Sequence, residues 1–168
     1  VVRLVKLISK SQEQTFEIGQ RIGRALVPGD VVALSGVLGS GKSVVARGIL
    51  EALGAGSEIP SPSFVIVATY EGEINVNHID LYRLGTVEEA LEIGIEDLLC
   101  SDAVSVVEWA EKIRKLLPSS RIDFLLEPRK DPDQRLLTIR PNDEDMGERL
   151  APLVMSLLHG GGHEGFGD

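Results

Sequence analysis

Cysteine is almost missing from this chain: Cys100 stands alone among 168 residues. One thiol excludes an intrachain disulfide and leaves no cysteine cluster for zinc, which fits a reducing compartment. Following Leu98 and Leu99, it reads as a small buried hydrophobe. Aromatic residues are scarce at 4%, so the core must be built from Val, Ile, Leu and Ala, the usual material of buried parallel strands and their covering helices. No apolar run approaches the ~20 residues that span a bilayer, and the first residues lack the apolar stretch of a signal peptide. The expectation is a soluble, cytoplasmic protein. Positive charge is also short: 17 basic residues against 26 acidic give a formal net charge of -9. Such a balance opposes nonspecific attraction to nucleic-acid phosphates.

What is present is an alternating pattern. Val1 to Ile8 reads as a strand. Ser11 to Gln14 forms an S-x-x-Q capping box for a helix with Thr15, Ile18, Ile22, Ala25 and Leu26 inward. Val31 to Leu34 is apolar throughout and too short for a helix, so it predicts a central buried strand. Lys42 to Leu53 carries helical spacing with Gly54 as its C-terminal stop. Phe64 to Tyr70 and Ile74 to Leu81 predict an antiparallel hairpin across Glu71-Gly72-Glu73. Thr86 caps a helix to about Leu91, a short helical piece covers Gly94 to Leu99, and Ala103 to Val107 is a second buried strand. Arg121 to Glu127 and Arg135 to Arg140 predict another hairpin, followed by a helix whose start or continuity Pro152 disturbs. Residues 1–158 read as one domain and 159–168 as a flexible, glycine-rich tail.

The most informative segment joins the Val31 strand to the Lys42 helix. It reads Gly36-Val37-Leu38-Gly39-Ser40-Gly41-Lys42-Ser43, followed by Val44, and matches G-x-x-x-x-G-K-S/T. Glycines let such a loop curl until successive N–H groups converge on phosphate oxygens. Lys42 supplies a cation for the β and γ phosphates, Ser43 a hydroxyl for Mg2+, and the helix its positive N-terminal end. The fold expectation is a P-loop NTPase-like three-layer α/β sandwich, with a mixed, mainly parallel central sheet that includes antiparallel hairpins. The ligands expected are ATP and Mg2+, since no Asn-Lys-x-Asp guanine-reading motif occurs.

Magnesium keeps several waters and takes one or two protein carboxylates. Ile74 to Asp80, a strand-like segment ending in Asp, makes Asp80 the candidate metal ligand; capping the turn into Leu81-Tyr82-Arg83 is its alternative role. His78 reads as a packing or hydrogen-bonding residue. Glu108, at the end of the second buried strand, is placed to orient or activate water, although a surface salt bridge would suit its spacing equally. Trp109 is open between a core and a rim position.

Taken together, these segments resemble the TsaE family, small bacterial ATPases of tRNA threonylcarbamoyladenosine biosynthesis. The resemblance runs from Thr15 to about Pro118. It rests on Gly36 to Ser43 with Arg47-Gly48, on Ser61-Pro62-Ser63-Phe64, on His78-Ile79-Asp80-Leu81-Tyr82-Arg83-Leu84, on Gly94-Ile95 and on Glu108-Trp109. It implies a nucleotide site containing Lys42 and Ser43, Ser63 in a switch-like loop near Mg2+ or the γ-phosphate, and Asp80 toward Mg2+. Glu108 and Trp109 match a pair that the family requires. It also implies weak ATPase activity alone and action with TsaB and TsaD partners; the net charge of -9, for its part, argues against stable direct tRNA binding by this chain alone. Val37 stands where the family usually has an acidic residue, and Ser43 and Ser63 stand for threonines. Ala68-Thr69 and Ala110 replace Glu-Pro and Pro.

Two other classes fit the phosphate loop. A small-molecule kinase would want an arginine-rich lid, for which Arg129, Arg135 and Arg140 are the available residues. A nucleotide-dependent binding module with negligible turnover would need only the loop and a partner surface.

Overall fold

The computed structural model describes residues 4–55 and 65–160. Its seven strands are β1 (Val5–Ser9), β2 (Val31–Ser35), β3 (Val67–Tyr70), β4 (Val76–Asp80), β5 (Val104–Glu108), β6 (Ile122–Pro128) and β7 (Arg135–Pro141). They form one sheet in the order β1-β7-β6-β2-β5-β4-β3. The four central strands β6-β2-β5-β4 run parallel. The flanking pairs β1/β7, β6/β7 and β3/β4 are antiparallel. The mixed, mainly parallel sheet and both hairpins are therefore as the sequence predicts.

Five helices cover the sheet: α1 (Gln12–Gly23), α2 (Lys42–Ala52), α3 (Val87–Glu92), α4 (Ile95–Leu99) and α5 (Glu144–Gly160). Strand β2 explains the layering. Its Val32 and Leu34 face a core shared with Ile18 and Ile22 of α1, Val45 and Ile49 of α2, and Met146 and Leu150 of α5. Its Val31 and Ala33 join Ile79, Ala90, Ile95 and Leu99 in a second core under α3 and α4. A strand apolar on both faces must be covered on both faces, so three layers follow from four consecutive residues.

Local chemistry sets the ends of the elements. Ser11 caps α1 by accepting from the Gln14 N–H at 3.1 Å, and the Gln14 side chain reaches back to the Lys10 N–H at 2.6 Å. Gly54, at φ +83°, ends α2 in the left-handed conformation that glycine tolerates. Thr86 accepts from the Glu89 N–H at the start of α3.

Three expectations need correction. Cys100 is exposed, because α4 ends at Leu99 and turns the next residue outward after burying Leu99 itself. Pro152 lies inside α5 without stopping it. Its missing N–H removes one bond on an exposed stretch, while Leu150 and Val154 on either side remain buried. The first strand begins at Val5 and runs to Ser9, and residues 1–3 lie outside the described residues. Among the described residues no helix is long and apolar enough to cross a membrane.

Candidate functional site

The phosphate loop leaves the C-terminal end of β2, between β5 and β6, and delivers the chain into α2. Its glycines are needed for shape. Gly36, Gly39 and Gly41 have φ of +146°, +75° and +104°. A Cβ on Gly36 would stand 2.4 Å from the Leu126 carbonyl oxygen and 2.7 Å from Ser40 Oγ. Ser40 is buried and its N–H donates to the Val37 carbonyl, closing the turn at 3.1 Å. Val37 and Leu38 are exposed at the rim.

Lys42, the first residue of α2, folds back into this loop. Its Nζ donates to the carbonyls of Gly36 at 2.7 Å and Val37 at 2.9 Å, and reaches Ser40 Oγ at 3.4 Å. It also sits 3.8 Å from the centroid of the Trp109 ring. Burial pushes the ammonium pKa down, against the raising influence of Glu111, Glu108 and Asp80. Trp109 is the only non-glycine residue with positive φ among the described residues, at 59°, a conformation costing about 1–2 kcal/mol. Tyr82 packs against Trp109 in a tilted arrangement, with ring centroids 5.2 Å apart. Lys112 anchors the Tyr82 segment by donating to the carbonyls of Tyr82 and Leu84 at 2.6 and 2.8 Å.

The acidic residues stand on neighbouring strands in register, Asp80 of β4 opposite Glu108 of β5. Glu108 is 1% exposed, so a surface salt bridge is ruled out. Its Oε2 accepts from Ser43 Oγ at 2.8 Å, and its Oε1 lies 2.9 Å from His78 Nε2. Asp80 accepts from the Tyr82 N–H at 3.0 Å, the turn-capping role offered as its alternative, and still faces the cleft. Burial first, and then the charge of Glu108, raise its pKa above the ordinary carboxylate value.

A cleft of about 710 Å3 joins these groups. Leu38, Gly39, Gly41, Lys42, Ser43, Val44, Asp80, Glu108 and Trp109 all line it. Gly36 and Ser40 shape the loop from behind. Ser63 lies outside the described residues. The cleft is also lined by Arg47 and Arg83, which the sequence marks only as part of the resemblance, by Arg135, which it offers only for a kinase lid, and by Thr15 and Asp133, to which it assigns no site role. Arg47 follows Ser43 by one helical turn, a spacing that places both on one face. Asp133 and Arg135 arrive through the β6/β7 hairpin, which the sequence announces, but nothing local announces that its turn reaches the cleft.

Among the described residues, no group of three or more His, Cys, Asp or Glu could hold a metal ion. The donors that are present, one hydroxyl and two carboxylates beside a glycine cradle, suit a cation that completes its shell with phosphate and water, as Mg2+ does.

The family model described as "Threonylcarbamoyl adenosine biosynthesis protein TsaE" matches residues 9–137, which include every described residue that lines the cleft. The curated tRNA threonylcarbamoyladenosine biosynthesis protein TsaE of Treponema pallidum is 33% identical over 132 residues, covering 79% of this chain and 98% of its own. That of Mycobacterium tuberculosis is 38% identical over 135 residues, covering 75% and 80%. The Bacillus subtilis protein is 31% identical over 138 residues, covering 82% and 85%. The crystal structure of Bacillus subtilis YdiB aligns with a TM-score of 0.77 and 27% identity, over 93% of this chain and 97% of that one. On the match across residues 9–137 and these identities over most of its length, the chain belongs to the TsaE family of threonylcarbamoyl adenosine biosynthesis proteins.

Proposed function

We propose that this chain binds Mg-ATP in the cleft and hydrolyses it in support of tRNA threonylcarbamoyladenosine formation, acting with TsaB- and TsaD-like proteins. The observation that carries the reading is the Ser43–Glu108 hydrogen bond beside the phosphate loop. A P-loop hydroxyl held by a buried carboxylate, with a second carboxylate in register on the next strand, is a donor set for a metal-bound triphosphate.

Each residue then has a task. The glycine loop and the first N–H groups of α2 receive the phosphates. Lys42 exchanges the carbonyls of Gly36 and Val37 for the β and γ oxygens, a trade that recovers for the ammonium the partners its burial demands. Ser43 and Asp80 would hold Mg2+, which when bound neutralises charge gathering on the phosphate oxygens. Glu108 has both oxygens engaged, and each oxygen has a second lone pair. Its first task is to aim the Ser43 hydroxyl, and a free lone pair can accept from the attacking water. Ser63 is proposed to serve near the γ-phosphate, and the partners to raise a low basal rate.

The test has two arms. Nucleotide binding and phosphate release are measured with and without Mg2+ on the purified chain, and a tagged chain is recovered from its own cells with ATP present. Mg2+-dependent ATP binding and co-recovery of TsaB- and TsaD-like proteins are expected. Nucleotide binding indifferent to Mg2+ would overturn the chemistry, and recovery without those proteins would overturn the partnership.

A further inference from the structure

The contact between His78 and Glu108 is not explained by the phosphate loop. His78 is 4% exposed and Glu108 1%. Their strands are adjacent and parallel, with His78 opposite Val106 and Asp80 opposite Glu108. Residues two apart on a strand share a face, so His78 and Glu108 are diagonal neighbours on the face that α2 covers. The imidazole Nε2 meets Oε1 at 2.9 Å while Ser43 Oγ meets Oε2 at 2.8 Å. A carboxylate only accepts, so the bond requires the hydrogen on Nε2.

We propose that His78 is a positioning residue for the nucleotide site, holding Glu108 in the rotamer that turns Oε2 to the Ser43 hydroxyl. The inference rests on the Mg-ATP reading above. A glutamate side chain has three rotatable bonds, and Ser43 alone, itself exposed near the start of α2, engages only one of its oxygens. Without the His78 donor, Oε1 is buried with no partner, and a buried unpaired acceptor is costly enough to drive the carboxylate out of place. The hydroxyl of Ser43 then loses its aim. The chain of control runs from His78 to Glu108 to Ser43, and no part of it requires His78 to touch nucleotide or metal.

The experiment compares His78→Leu, which fills the space without a donor, with His78→Gln, whose amide nitrogen reaches about as far as Nε2. Half-saturating Mg2+, phosphate release and ATP affinity in EDTA are read on each purified, folded protein. For His78→Leu, half-saturating Mg2+ is expected to rise or turnover to fall by ~10- to 100-fold, with metal-free ATP affinity within about twofold of wild type. His78→Gln is expected to restore most of the loss. If the leucine variant fails to fold, His78→Asn, which keeps an amide but stops short of Oε1, takes its place and is expected to show the same loss. A folded His78→Leu or His78→Asn with wild-type Mg2+ dependence and turnover overturns the proposal. So does a parallel loss of metal-free affinity, which marks a purely structural residue, or a His78→Gln as impaired as the leucine variant. A wild-type chain without Mg2+-dependent nucleotide use overturns the Mg-ATP reading, and this inference with it. An active wild type with an unaffected variant overturns this inference alone.

Discussion

Lys42 and Trp109 report on each other. The ammonium lies over the ring at 3.8 Å, and Trp109 is the only tryptophan in the chain. A phosphate group that draws Nζ from the Gly36 and Val37 carbonyls also alters the field on the indole. Adding Mg-ATP is therefore expected to change the tryptophan emission. Lys42→Ala should shift the resting emission, remove most of that response, and lower turnover by ~100-fold or more, the scale of losing one charged donor to the transition state. A normal fluorescence response in Lys42→Ala, by titration, would dissociate the ring from the cation.

Asp80 carries a second residue-scale expectation. Its folded-state pKa is raised, chiefly by burial. The native chain therefore holds this proton more tightly than the unfolded chain does. The stability this contributes is present below the unfolded pKa and is lost as pH rises through the folded one. At neutral pH the ionised carboxylate thus opposes folding, and Asp80→Asn should melt at a higher temperature than wild type in EDTA. The same substitution should abolish the gain in melting temperature on adding Mg-ATP. Equal melting temperatures in EDTA, by scanning calorimetry, would contradict the burial account.

At the scale of elements, the crossing of α1 and α2 sets the height of the phosphate site above the sheet. A Cβ on Gly48 would stand 2.3 Å from the Phe16 carbonyl oxygen, and one on Gly19 would stand 2.4 Å from that of Val45. These are backbone atoms, so relief requires the helices to part. Gly48→Ala gains up to about 1 kcal/mol of helix propensity against an overpacking cost of about 1–3 kcal/mol. The second effect should dominate, giving net destabilisation in urea unfolding. Because Lys42 and Ser43 open α2, nucleotide binding should weaken as well. A variant more stable than wild type would mean that the helices are free to separate.

That crossing also marks where the amino-acid sequence stops being legible. The capping box at Ser11, the helical spacing of Val45 and Ile49, and the apolar run Val31 to Leu34 each carry their element locally. The loop residues declare their chemistry in the same way. Gly48 is visible as a residue, but the reason for it lies on α1. The partners of Glu108 are equally hidden, because Ser43 and His78 meet it only through strand register and helix placement. The neighbours of β7 show the same division: a polar turn announces its hairpin with β6, while nothing in Val5–Ser9 announces that β1 lies on its other side. Pro152 errs in the opposite direction, a strong local signal overridden by burial of Leu150 and Val154 around it.

For the whole molecule, an ion pair adds to the apolar packing of Met146 and Leu150 in tying the C-terminal helix to the sheet. Arg149 of α5 donates to Asp30, just before β2, through Nη1 at 2.8 Å and Nη2 at 2.9 Å. Its Nη1 also reaches the Ala25 carbonyl at 3.0 Å, and the Asp30 bond is the main reason its pKa is raised. Asp30 is 7% exposed, so removing the guanidinium leaves its buried carboxylate with the Val27 N–H as its remaining hydrogen-bond donor. Breaking a fully buried pair costs about 3–5 kcal/mol. The partial exposure of Arg149 reduces the expectation for Arg149→Met to roughly 2–3 kcal/mol. Denaturant unfolding should show that loss without a change in Mg2+ dependence, because no atom of the pair lines the cleft. A variant within 0.5 kcal/mol or so of wild type would mean that α5 is held by apolar packing alone.

The strand order carries a last consequence, for the order of events during synthesis. β2 lies between β5 and β6, both of which leave the ribosome long after it. β1, made first, must wait for β7. Contacts this distant along the chain slow folding, and the waiting strands present open edges. The loop after β2 is closed from behind by the Leu126 carbonyl, an atom of β6. A nascent chain that has reached only α2 therefore contains the whole nucleotide motif without its supporting wall. If the chain binds nucleotide as proposed, nucleotide should stabilise it only once β6 has inserted beside β2, and should not template the early half of folding.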